Sequence, residues 1–513
     1  MASHGKLSKD GRESIRIEML LALTVLVDLS MVMASYAVVP CMATCDADAE
    51  SRGRVAEDIG TPYVIKSSLA FDDLKLRSVK RVVVNEGVAI PVGAFQGCGE
   101  LVEVILPKRI KVLPQWAFKD CSSLVHVEIP ESVEIVDVGA FQACSSLESL
   151  YLPKNVQHIG DRFRGCSRLS GLFVAEENPF LQSISGCVYD KSAFVLLSSP
   201  KWYNGEIMSL PPGVRRITSG QFVDTHGLKR IILPSSLCEI GQGCFAGDGD
   251  IEAFEVATEC RGYLSRKGIL YSAEGRSLLR CPPALADVRV EIPIGVEGVE
   301  DGAFSHCKNI REIVLPSSVK RLPREAFYRC ANLKEVTIPG SLESIGVSCF
   351  LACPNLSSIK VIGEDGPVVF RDGFLYDREL GCLYYCAPLL GRGDVRLPDG
   401  ILKIGDGAFN NLAHKARLVI PKSVRYASSL DILNCESIDS VVFEGDPPIG
   451  FGIGKANHRI SVYVDLKNQK WQLYERLVGA MRGTNIFVYD WTRGGGAAPG
   501  EYVAVNMSLC MAA

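Results

Sequence analysis

Ala117-Phe118-Lys119-Asp120-Cys121-Ser122-Ser123-Leu124, followed by Val127, Ile129 and Pro130, is one copy of a unit that returns along most of this chain. Another copy reads Ala326-Phe327-Tyr328-Arg329-Cys330, then Leu333, Val336, Ile338 and Pro339. The phenylalanines of the unit are Phe95, Phe118, Phe141, Phe163, Phe222, Phe245, Phe304, Phe327, Phe350 and Phe409. They are spaced by 23 residues, once by 22, and by 59 at three gaps. A fixed period in this range is the mark of a solenoid, in which each unit buries its apolar face only against its neighbours. One elongated stack therefore accounts better for 513 residues than several separate domains.

Within a unit, the LxxhxhP segment alternates as a short strand does. Leu333, Val336 and Ile338 point inward, Glu335 and Thr337 outward. Proline closes the segment because it has no N–H for a ladder. Stacked coils then pair these strands in parallel at about 4.8 Å, and the phenylalanine and cysteine recur on the opposite arm as an interior spine and a column beside it. The 59-residue gaps carry their own marker: Tyr189, Tyr271 and Tyr376 each lie 26 residues after one spine phenylalanine and 33 before the next. Around them run Gly186-Cys187-Val188-Tyr189-Asp190, Gly268-Ile269-Leu270-Tyr271-Ser272 and Gly373-Phe374-Leu375-Tyr376-Asp377, each followed by a turn and a second apolar run. This pattern predicts β-hairpin insertions near 180–200, 262–282 and 367–388.

Both periods resemble the BspA-like leucine-rich repeat family, over roughly Val82 to Asp490. The resemblance extends to a closing unit: Val442-Phe443-Glu444-Gly445-Asp446-Pro447-Pro448, then Val462-Tyr463-Val464 and a helical Trp471-Gln472-Leu473-Tyr474. It implies a right-handed parallel leucine-rich repeat stack, mostly β and coil, of a kind found in surface proteins and linked to adhesion. Function varies within the family, so the likeness implies a class and not a ligand. The expected organisation is a signal-like or anchor segment at 1–45, an N-terminal flank at 46–81, the solenoid at 82–440, a cap at 441–490 and a flexible tail at 491–513.

The bulk numbers restrict function further. Fifty-five Lys and Arg nearly balance 59 Asp and Glu, and no basic stripe is present, which argues against a nucleic-acid partner. The apolar run Met19 to Val39 resembles an export signal with small residues before Val38, although Asp28 sits in its middle. An uncleaved anchor or a misplaced start is the alternative, and no later segment is apolar enough to span a bilayer.

No catalytic constellation is legible. The seven histidines form no HExxH, and neither GxSxG nor a P-loop occurs. The sequence therefore predicts no catalytic residues, no metal and no cofactor. Cys98, Cys121, Cys144, Cys166, Cys307, Cys330 and Cys353 share one repeat position and read as buried free thiols, because parallel side chains do not converge as a disulfide requires. The CxxxC spacings Cys41/Cys45, Cys349/Cys353 and Cys382/Cys386 read as packing rather than zinc.

Two candidate binding features remain. The outward positions of successive strands form a column, Ile105, Glu128, Tyr151, Phe173, Ile232, Glu255, Val314, Thr337 and Lys360, flanked by His126. Tyr151 and Phe173, with His126 and Glu128, make the candidate partner site on the concave strand face, unless the first hairpin folds over them. Arg392-Gly393-Asp394 spells the integrin tripeptide in a turn before Val395 to Leu397, where a solvated turn is the competing reading. On the integrin reading, Asp394→Ala abolishes integrin-dependent attachment. These features predict a non-catalytic protein that binds a protein or glycan macromolecule, extracellular or at the cell surface. The alternatives are an intracellular scaffold of the same fold and an enzyme with its site in the inserts.

Overall fold

The alternation read from each coil needs a second surface to bury against, and successive coils supply it. The computed structural model describes residues 62–490, apart from 73, 161–162, 248, 364–365, 380, 389–392, 428–431, 433–434, 451–459, 466 and 472–485. The described residues lie in one compact unit, Ile59–Ala513, a parallel β-solenoid of about 16 turns with almost no helix. The predicted signal-like segment at 1–45 falls outside the described residues.

The regular coils are joined by three inter-coil rows. The first is the sheet of the LxxhxhP strands, as in Arg81–Val84 beside Glu103–Ile105, with Val82 opposite Val104 and Val83 opposite Ile105. A second row of two-residue strands, Val112–Leu113, Ile135–Val136 and His158–Ile159, pairs in parallel one coil apart. The phenylalanine arm forms the third, where Phe95 N–H donates to Ala117 O at 2.8 Å and Phe118 N–H to Ala140 O at 2.7 Å. Three rows of backbone bonds satisfy the polar groups that an interior of this density would otherwise strand.

The interior spine is present as predicted. Phe95, Phe118 and Phe141 stack with ring centroids 5.1 and 5.4 Å apart, and Phe163, reached by the 22-residue step, follows at 6.2 Å. Phe304, Phe327 and Phe350 stack likewise, each 5.4 Å from the next. Beside the rings, column thiols that follow a spine phenylalanine one coil back donate to its carbonyl: Cys121 to Phe95 O at 3.1 Å, Cys144 to Phe118 O at 3.0 Å, Cys330 to Phe304 O at 3.0 Å, whereas Cys307, the first after an insert, donates to Pro282 O at 3.7 Å. Cysteine suits this place because it is small, apolar and still carries a weak donor. The sixteen described cysteines are free thiols, and fourteen of them are buried.

The inserts differ from the predicted hairpins in having three strands. Leu181–Ile184, Cys187–Asp190 and Val195–Ser198 form an antiparallel meander, repeated at Tyr263–Arg266, Ile269–Ser272 and Ser277–Arg280 and at Val368–Arg371, Phe374–Asp377 and Cys382–Cys386. Each opens with a two-residue turn whose central residues both have positive φ: Ser185 and Gly186 (51° and 75°), Lys267 and Gly268 (50° and 78°), Asp372 and Gly373 (52° and 81°). That conformation matches the twist of the flanking strands and explains the glycine of the marker. The third strand of each meander then pairs in parallel with a two-residue strand of the next coil, as Val195 does with Arg216. The hairpin pattern joined the marker strand to the apolar run after it, so the strand it missed is the first of each insert, Leu181–Ile184, Tyr263–Arg266 and Val368–Arg371, which precedes the marker.

Because successive side chains on a strand point to opposite faces, the middle strand of each insert faces two cores at once. Val188 packs into the core of the first stack, and its neighbours Cys187 and Tyr189 pack into that of the second. Leu270 belongs to the second stack, and Ile269 and Tyr271 to the third. Leu375 belongs to the third, and Phe374 to the fourth. The inserts are partitions within the solenoid.

Two local expectations fail. The Leu124 to Pro130 segment, expected as a strand, forms no ladder, and the sheet is interrupted between Glu103–Ile105 and Ser149–Leu152. Its alternation persists all the same, with Val127 and Ile129 buried and His126 and Glu128 exposed, because burial follows side-chain contacts and not ladder bonds. Thr337, expected outward, is only 6% exposed. It is a short side chain between Val314 and Lys360, and Lys360 reaches back to Glu335 at 2.6 Å. At the far end, Trp471 is buried against Phe443, 5.1 Å between rings, and its indole N–H donates to Gly445 O at 2.8 Å.

Candidate partner-binding face

The outward side of the strand sheet is the face whose composition changes most along the stack. In several places it carries cross-strand ion pairs: Arg81 with Glu103 at 2.9 Å, Arg230 with Glu255 at 3.2 Å, Lys360 with Glu335 at 2.6 Å, and Arg289 with Glu312. Such exposed pairs satisfy themselves and contribute about 0–1 kcal/mol each.

At the end of the first stack the pattern is aromatic instead. Strands Ser149–Leu152 and Gly171–Val174 pair in parallel with Tyr151 directly opposite Phe173, and the two side chains are 51% and 50% exposed. The first insert leaves them open. Gly171, two residues before Phe173 and on the same face, explains the ring's posture: a Cβ on Gly171 would come within 2.7 Å of Phe173 Cζ. The tip of the ring folds back over the glycine while half of the side chain stays exposed. The candidates His126 and Glu128 are exposed on the preceding coil, whose Leu124 to Pro130 segment makes no ladder with its neighbours.

The other candidate divides. Arg392 lies outside the described residues. Gly393 and Asp394 begin the strand Gly393–Arg396 rather than the turn expected for them, with Asp394 opposite Arg417 and its carboxylate 3.9 Å from that guanidinium. The strand starts early because Gly393 and Asp394 complete the parallel ladder with Ala416 and Arg417.

Burial raises several ionisable groups of the interior. It pushes the Cys187 and Cys244 thiols up to about 12 and raises Cys121, Cys386 and Tyr385. These are inert packing groups and not nucleophiles. Among the described residues no group of three or more His, Cys, Asp or Glu is placed to hold a metal ion, and no helix is long and apolar enough to cross a membrane. Two residues escaped the sequence reading. Cys435 continues the thiol column, donating to Phe409 O at 3.1 Å, while Ile432 takes the phenylalanine's place in its coil. The step of 23 from Phe409 to Ile432 was the available signal. Gly171 was the other, visible only as a small residue two before an outward aromatic.

The fold defines a leucine-rich repeat protein. The sequence pattern of the BspA type leucine rich repeat region matches in six copies, at residues 67–192, 201–263, 288–365 and 382–447, more than half of the chain. The chain belongs to that family. Solved structures with a similar fold include a leucine rich cell surface protein from Faecalibacterium prausnitzii A2-165, at 22% identity over 56% of this chain and 74% of that one, with a TM-score of 0.37. A leucine-rich repeat protein from Eubacterium ventriosum ATCC 27560 aligns at 18% identity over 76% and 84%, TM-score 0.37. The pneumococcal vaccine antigen PcpA aligns at 15% over 80% and 78%, TM-score 0.29. No curated protein sequence matches the chain.

Proposed function

We propose that this protein binds a macromolecular partner through the outward face of its strand sheet, with Tyr151 and Phe173 as anchors and His126 and Glu128 beside them, and that it does so outside the cell or at its surface. The observation that carries the reading is the aromatic pair: two half-exposed rings in register on neighbouring strands, where other parts of the face are closed by ion pairs. Large aromatic side chains on a rigid platform supply contact area at low entropic cost, and such patches mark contacts with proteins or sugars. The surface location and the adhesive role rest on the family and on the export-like run Met19 to Val39. The role is binding and not catalysis.

The test is a Tyr151→Ala/Phe173→Ala double variant offered to arrays of extracellular-matrix proteins and glycans beside the wild type. A partner held by the wild type should bind the variant about 30-fold more weakly or worse, as for hot-spot residues, with an unchanged melting temperature. Equal binding by the folded variant counts against this face. Determining the N-terminus of the protein recovered from each cell fraction tests the location. A chain starting near Val38 outside the cell supports export, and an intact one in the cytosol sinks the adhesive reading.

A further inference from the structure

The outward glutamates of the strand face divide by their neighbours. Glu103, Glu255, Glu312 and Glu335 each pair with a basic residue one coil away, Arg81, Arg230, Arg289 and Lys360 respectively. Glu128 and Glu291 are exposed and have no basic partner among the described residues. Glu291 lies opposite Val314. Glu128 instead stands in the column of the two rings, 23 residues before Tyr151, which is itself opposite Phe173. The Leu124 to Pro130 segment keeps that register without a ladder, because Glu148 N–H donates to Val125 O at 3.5 Å, again a step of 23.

Glu128, Tyr151 and Phe173 therefore follow one another at a coil spacing of about 5 Å per step. An unpaired carboxylate beside an aromatic ring is a combination that a lysine or arginine side chain satisfies at once: the aliphatic stem lies on the ring and the charge meets the carboxylate. The stem of either residue is about as long as one coil step. The surroundings carry the matching sign. Within three residues of the segments Leu124 to Pro130, Ser149–Leu152 and Gly171–Val174 stand the exposed Glu131, Glu148, Glu176 and Glu177, against Lys154 and Arg168. That excess of negative charge favours a basic partner and disfavours an acidic one.

We propose that the partner is a protein that docks a lysine or arginine side chain here, with its stem across Tyr151, its cation on Glu128 and an apolar neighbour on Phe173. This rests on the aromatic face being the binding site and adds the chemistry of what it holds.

The experiment selects random dodecapeptides displayed on phage against the full chain, counter-selects them on the Tyr151→Ala/Phe173→Ala variant, and titrates the synthesised survivors. Those peptides should carry a lysine or arginine and bind Glu128→Gln about fivefold more weakly or worse. Replacing the basic residue by norleucine should cost as much, and the two changes together no more than either alone, because both remove one ion pair. Added salt should weaken binding to the wild type more steeply than binding to Glu128→Gln. Glu291→Gln, at the other unpaired glutamate, should change nothing. Peptides that need the two rings but carry no basic residue, or that bind Glu128→Gln as tightly as the wild type, overturn the inference and leave the face itself standing. If no peptide distinguishes the aromatic variant from the wild type, the face falls and this inference with it. An anionic glycan held through the two rings overturns it as well, since Glu128 would repel such a ligand.

Discussion

The coils from Phe95 to Phe163 and the partitions at Tyr189, Tyr271 and Tyr376 solve one problem in two ways. In the coils every buried side chain faces a single interior, so identical residues stack on themselves, ring on ring and thiol on carbonyl. At a partition the stack stops, and one strand with apolar residues on both sides serves two interiors. The difference shows that regularity in a solenoid comes from repeated contact with like neighbours, and that interrupting it takes an element buried on both faces.

The largest expected effect asks whether both regions are equally dry. Thiols in coils (Cys121) and near partitions (Cys187, Cys244, Cys386) are raised by burial above their ordinary 9.0. In the unfolded chain they ionise near 9.0 while the folded ones stay protonated, so above that pH the unfolded state binds fewer protons and stability falls as pH rises. For Cys187 and Cys244 the loss runs from about 9 to about 12, each group removing about 1.4 kcal/mol per pH unit. Urea midpoints on either side of pH 9 measure it, and a flat profile would mean that water reaches the column.

Next in size is the spine. Phe118→Ala, with stacked neighbours on both sides, should cost about 3–5 kcal/mol in urea unfolding. A cost near that of an exposed residue would show that the coils collapse around the gap. The sharpest test of the partition compares adjacent residues. Leu270→Ala and Tyr271→Ala should each cost about 2–5 kcal/mol, yet loosen different strands in hydrogen exchange: the first around Ile231 and Phe254, the second around Ile313 and Val336. Identical exchange patterns would refute two-sidedness. The smallest effect belongs to Cys121→Ala, which removes one S–H···O contact and should cost about 1 kcal/mol. A loss several times larger would make the thiol column, and not the rings, the main support of the coils.

Much of this was legible because the information is local and repeated. A residue such as Val336 has the same surroundings as Ile313 one coil earlier, so period and alternation suffice to assign its burial. The outward position of Tyr151 and Phe173 followed from the same alternation, and their adjacency from the 22-residue step. Legibility failed where a side chain's neighbour comes from outside the repeat. Thr337 is buried beside an ion pair that alternation cannot foresee. The first strand of each insert is only partly buried and reads differently each time, LQSI, YLSR and VVFR, so no repeated pattern announces it.

By itself the sequence determined the solenoid, its spine, its thiol column and the family, because each is a pattern that a chain must repeat in order to stack. Only the tertiary structure decided that the inserts are partitions, that Phe173 folds back over Gly171, and that Arg280 is buried against Gly302 and Ser305. These depend on two elements closing on one point from different directions, and a one-dimensional period carries no record of such a meeting.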